Sequence, residues 1–124
     1  MAILLWGDGM RDIEIFEYNG VGYNKTMNFG EWRVAIANFG EHFDKDRYSY
    51  LERHLNTDEV FELLSGGATL ITGKEFKKTP LMKNKIYNVK RGAWHALLMD
   101  ADAKVLIVEN HDTAIENTEY FYFR

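Results

Sequence analysis

Two imidazoles and two carboxylates of this sequence, Glu52, His54, Glu59 and His95, are spaced so that strand geometry can bring them together. These residue types bind cations and move protons. The chain has no cysteine, so thiolate ligands, cysteine nucleophiles and disulfides are excluded together. A metal centre here would be built from nitrogen and oxygen only, a donor set that suits Mn, Fe, Ni or Zn, with Mg possible.

The spacing carries the argument. Tyr48 to His54 reads as a strand, with Tyr48, Tyr50, Glu52 and His54 on one face and Arg47, Ser49, Leu51 and Arg53 on the other. Glu52 and His54 then point the same way, with Cα atoms about 7 Å apart. Asn56-Thr57-Asp58 is turn chemistry. A chain that doubles back there lets Glu59, which shares a face with Phe61 and Leu63, look toward His54. Gly92 precedes a strand on which His95, Leu97 and Met99 share a face. Closing the sheet into a barrel brings His95 opposite the first cluster.

The elements that must position these groups are short. Ile13 to Tyr18 reads as an edge strand. Trp32 to Ala37 alternates, with Trp32, Val34 and Ile36 on one face and Arg33, Ala35 and Ala37 on the other. Asn38 to Arg47 reads as a loop. Glu59 to Leu64 and Ala68 to Thr72 flank Ser65-Gly66-Gly67, whose glycines suit a tight hairpin. Ile86 to Val89, Ala93 to Met99 and Lys104 to Glu109 follow, with Asp100 to Asp102 as the hairpin turn between the last two. Tyr120 to Phe123 ends the chain. Helical periodicity is poor, and close to ten short strands at this spacing predict an all-β sandwich or barrel.

The 124 residues fit one domain, 1–124, and 46 % hydrophobic residues supply a core. The formal charge of −4 argues against nucleic-acid binding. Lys74, Lys77, Lys78, Lys83, Lys85, Lys90 and Arg91 are interrupted by apolar residues and read as solvated strand edges and turns. No apolar run reaches the length of a membrane span. Met1 to Trp6 is apolar but lacks a basic leader, and reads as an ordered strand or a cloning remnant. The expectation is a soluble, cytoplasmic protein with no membrane or nucleic-acid partner.

The stretch from Glu52 through His54 and Glu59 to Gly66 resembles the first motif of the cupin superfamily: His-x-His, three or four residues, Glu, six residues, Gly. Lys90-Arg91-Gly92-Ala93-Trp94-His95 resembles the second motif, Pro-x-Gly-x-x-His, which ends in Asn. Glu52 stands at the first histidine, Lys90 at the proline and Met99 at the asparagine. The resemblance covers about residues 30–112. It implies a double-stranded β-helix, or jelly-roll barrel, with a divalent metal held by His54, Glu59 and His95, and Glu52 as substitute ligand or acid/base. Trp32 to Ile36, Asn56 to Phe61 and Val108-Glu109-Asn110 also resemble small single-domain cupins, ureidoglycolate-hydrolase-like members among them.

If all four residues bind, an octahedral ion keeps two positions for water or substrate and acts as a Lewis acid. Tyr50 and Glu52 are the candidate catalytic groups. Tyr48 and Arg33 are the candidate substrate contacts, Arg33 for a carboxylate or phosphate if its face points inward. His42 and His111 read as loop residues. The expected function is a metal-dependent isomerase, lyase or hydrolase acting on a sugar- or ureido-type acid. The alternatives are a small-molecule-binding or sensor cupin with an empty site, and a structural role. The aromatic end at Tyr120 to Phe123 packs within the domain or against a second subunit, and a homodimer is expected.

Overall fold

The computed structural model describes residues 12–124. Ten strands run β1 (Tyr23–Phe29), β2 (Trp32–Asn38), β3 (Tyr50–His54), β4 (Glu59–Ser65), β5 (Ala68–Thr72), β6 (Lys77–Pro80), β7 (Tyr87–Val89), β8 (His95–Met99), β9 (Lys104–Asn110) and β10 (Thr118–Tyr122). Short 3-10 turns at Glu41–Phe43 and Ile115–Asn117 are the helical elements among the described residues. The strands form two antiparallel five-stranded sheets, β1-β2-β9-β4-β7 and β10-β3-β8-β5-β6. Consecutive strands from β3 onward repeatedly change sheet, which gives a jelly-roll barrel, the all-β architecture expected from the sequence.

Alternation along four strands explains how one barrel holds both a core and a polar site. On β2 the inward residues are Arg33, Ala35 and Ala37; on β4, Glu59, Phe61 and Leu63. On β8 they are His95, Leu97 and Met99; on β9, Val105, Ile107 and Glu109. Each strand puts one ionisable residue at the same end of the barrel and two apolar residues at the other. Register supports this layering: Arg33 lies opposite Glu109, and Ile107 opposite both Ala35 and Phe61. Each large apolar side chain buried in the lower half contributes about 2 kcal/mol, which helps offset the cost of enclosing charge above it.

Several local expectations change. Ile13 to Tyr18 forms no strand; Ile13 is 57 % exposed, and the Tyr18 carbonyl is held by Asn38 Nδ2 and Lys104 Nζ rather than by a ladder. Strands β1 and β6 had no sequence signal. Asn24, Lys25 and Asn28 break the pattern of β1, and the short β6 is a sheet edge, where Pro80 is tolerated. Met1 to Trp6 lies outside the described residues. No helix among the described residues is long and apolar enough to cross a membrane.

The turns at Gly66-Gly67 and Asp100–Asp102 are not hairpins, because β4 and β5, like β8 and β9, belong to different sheets. They pack on each other, and Asp100 N–H donates to the Gly67 carbonyl at 2.9 Å. Gly66 has φ +70°, and a Cβ there would lie 2.5 Å from the Asp102 carbonyl oxygen and 2.6 Å from Ala103 Cα. Gly66→Ala is therefore expected to cost about 2 kcal/mol, combining left-handed backbone strain with a clash against main chain. Urea denaturation measures it; a change under about 0.5 kcal/mol, the range of unconstrained surface positions, would contradict the account.

Candidate metal centre

Three strands from both sheets deliver the chemistry-bearing groups to one place. Glu52 and His54 come from β3, Glu59 from the start of β4 and His95 from the start of β8, with Glu52 directly opposite His95 in the ladder. The reversal at Asn56 to Asp58 carries the chain from one sheet to the other, so Glu59 faces His54 across the barrel interior rather than along a hairpin. Glu59 Oε1 lies 3.0 Å from His54 Nε2 and 2.9 Å from His95 Nε2. Donor atoms of Glu52, His54 and His95 all lie within 4.8 Å of one another, and so do those of His54, Glu59 and Glu109.

Both imidazoles are held from behind. His95 Nδ1 sits 3.0 Å from the Ala93 carbonyl, which can only accept, so that nitrogen carries the proton. His54 Nδ1 sits 3.0 Å from Thr118 Oγ1 on β10. Each ring thus turns Nε2 inward with its other nitrogen anchored, the outer-partner arrangement that orients metal-binding histidines. The inward groups are all nitrogen and oxygen and converge from several strands. These residues fit a divalent metal ion; the geometry does not select which one.

Burial and proximity set the protonation. Burial disfavours the His95 imidazolium, but the hydrogen bond and charge of Glu59 outweigh it and raise the group to about 9. His54 is raised in the same way, against its own burial and with Glu59 as the chief cause. Burial would raise Glu59; hydrogen bonds from both histidines and their charge instead hold it well below the usual carboxylate range. Glu52 goes the other way: burial, only partly countered by His95, raises its carboxyl.

The remaining sequence candidates are close by. Tyr50 lines the same cavity, its hydroxyl pushed up to about 12 by burial first and then by the Glu52 charge. The Tyr50 hydroxyl lies 3.3 Å from Nδ1 of His42, so a residue read as a plain loop histidine reaches the cavity rim. Tyr48 also lines the cavity, edge-on to Phe123. Arg33 points inward and is 5 % exposed. Its Nη2 is 2.8 Å from Glu109 Oε2, and its Nη1 donates to the His111 carbonyl. Glu109 and its second partner, Tyr23, were not singled out from the sequence for site roles. The period-2 alternation of Val105, Ile107 and Glu109 carried the signal for Glu109. The cavity above these groups has a volume of about 590 Å³.

These two sheets form a barrel of the cupin fold. No protein-family model matches the sequence, and no curated protein matches it. Solved structures do match. One is a cupin-2 domain containing protein from Shewanella frigidimarina, 15 % identical, with TM-score 0.59 over 76 % of this chain and 85 % of that one. Another is the Streptomyces protein Pac13, a nucleoside dehydratase, with uridine: 10 % identical, TM-score 0.62, over 86 % and 83 %. A third is KdgF from Halomonas sp., 12 % identical, TM-score 0.55, over 71 % and 77 %. Identities this low establish the shared fold, and the chemistry must be argued from the site.

Proposed function

We propose that this chain is a metal-dependent cupin enzyme acting on a small polar metabolite, with His54, His95, Glu59 and Glu52 holding the ion. The observation that carries this reading is the convergence of two anchored imidazole Nε2 atoms with buried carboxylates at the floor of an open cavity. A bound divalent ion would supply Lewis acidity toward a carbonyl, hydroxyl or carboxylate. The chain's own groups do the rest. Glu52, whose carboxyl is raised by burial, serves as the fourth ligand or, where the ion leaves it free, exchanges a proton with substrate. Tyr50 holds its proton and donates a hydrogen bond at the rim. Arg33, already bound to Glu109, orients that carboxylate, and Tyr48 contributes a wall. The substrate class is a sugar- or ureido-type acid, and the reaction an isomerisation, elimination or hydrolysis. Tyr120 and Tyr122, 37 % and 64 % exposed on edge strand β10, support self-association as a homodimer.

One observation favours a second reading, a small-molecule-binding cupin without metal. Glu59 bridges both Nε2 atoms and satisfies them internally. Elemental analysis of protein purified without chelator decides between the two. Stoichiometric Mn, Fe, Ni or Zn, lost in both His54→Ala and His95→Ala, is the expected result. No metal, together with no thermal shift on adding EDTA, would leave the binding-protein reading.

A further inference from the structure

We infer that Glu109 is an additional donor of the metal centre, held ready by Arg33 and Tyr23; the inference rests on the metal reading above. The two oxygens of this carboxylate are used unequally. Oε2 accepts from the Tyr23 hydroxyl at 2.6 Å and from Arg33 Nη2 at 2.8 Å. Oε1 is buried and has no hydrogen-bond partner among the described residues. Glu109 as a whole is 6 % exposed and lines the cavity. A buried carboxylate oxygen left unpaired is costly, and its persistence calls for a partner that arrives later.

The position of Oε1 says what that partner is. It lies 3.8 Å from His54 Nε2, too far for a hydrogen bond. Metal–ligand bonds of about 2.1 Å place two donors of one ion roughly 3 to 4.2 Å apart, as cis or trans neighbours. The His54–Glu59, His95–Glu59 and His54–Glu109 separations of 3.0, 2.9 and 3.8 Å are all compatible with that spacing. Charge agrees with geometry. Glu52, Glu59 and Glu109, less the Arg33 guanidinium, leave two negative charges, which a divalent cation neutralises. His54 Nε2 offers a single lone pair, so the two donor triplets share one ion and do not bind two.

The rival account is that Glu109 is only the counter-ion of Arg33. Arg33→Gln/Glu109→Gln separates the two, since it removes both charges together and strands neither. Mn²⁺ titration, followed by calorimetry and by the electron paramagnetic resonance of the bound ion, is expected to show binding at least tenfold weaker than in the wild type, with an altered spectrum. Affinity within twofold and an unchanged spectrum would overturn the inference while leaving the metal centre standing. A wild-type protein that binds no divalent ion overturns both. If the double variant does not fold, Tyr23→Phe decides: it removes one of the two donors that fix Oε2 without exposing a charge, and threefold or greater weakening is expected, against no change if Glu109 is not a donor.

Discussion

Glu59→Gln in EDTA-treated protein is expected to lose about 3 kcal/mol or more of stability near pH 6, and only a small fraction of that near pH 9.5. The amide keeps the shape and an acceptor oxygen but removes the charge that sits between two buried imidazoles. In the wild type, Glu59 Oε1 is within 3.0 Å of both Nε2 atoms. His95 is 3 % exposed, and Glu59 is the chief reason its pKa rises to about 9. Without the carboxylate, burial dominates, and the folded protein must discharge imidazoles that the unfolded chain keeps protonated in mild acid. At alkaline pH His95 has lost its proton in the wild type as well, so the charge interaction that the substitution removes is already absent. Urea denaturation at the two pH values measures the difference. Equal destabilisation at both would mean that Glu59 contributes packing alone and that the charged triad is not formed.

The same triad shows what a single sequence can and cannot reveal. Period-2 alternation was enough to place Glu52 and His54 on one face of β3, and a turn followed by alternation was enough for Glu59. Which face of β2 points inward was harder. Trp32, Val34 and Ile36 look like the core face, yet Trp32 is 45 % exposed and the interior takes Arg33, Ala35 and Ala37. The reason is volume. Ile107 lies opposite both Ala35 and Phe61, so the filled barrel leaves room for alanines there. Arg33 is tolerated inside because its register partner is Glu109. That pairing spans 76 residues of chain, and the Tyr23–Glu109 bond spans 86. Alternation puts Glu109 on the face of Val105 and Ile107, but local patterning cannot see contacts at such separation, so its partners were not legible. Strand β1, which brings Tyr23, was hidden by Asn24, Lys25 and Asn28 and by an irregular register near Met27. His42 was hidden differently. Its loop reading matches its chain position, but the 3-10 turn at Glu41–Phe43 sets it beside Tyr50.

Loading the protein with Zn²⁺ or Mn²⁺ is expected to cancel the loss of stability that the metal-free protein suffers as pH rises above neutrality. In the EDTA-treated protein, His95 titrates at about 9 rather than the ordinary 6.5. A group raised on folding contributes its stability in full below its unfolded value and loses it as pH climbs through the folded one, here between about 6.5 and 9. The shift corresponds to about 3 kcal/mol, a single interaction counted jointly with Glu59. Glu52, also raised on folding, pulls the same way. Glu59, lowered on folding, loses its share only in acid and does not oppose the trend above neutrality. A metal ion needs the Nε2 lone pairs and must displace the protons that occupy them. Each proton displaced weakens apparent binding by about 1.4 kcal/mol per pH unit below the group's pKa. Ligand-linked stabilisation therefore grows with pH over the range where the metal-free protein weakens. Thermal unfolding from pH 6 to 9, with excess metal or with EDTA at fixed ionic strength, should give two curves that diverge as pH rises. Curves that stay parallel would mean that binding displaces no imidazole proton, and an ion that leaves His54 and His95 protonated is not held by them.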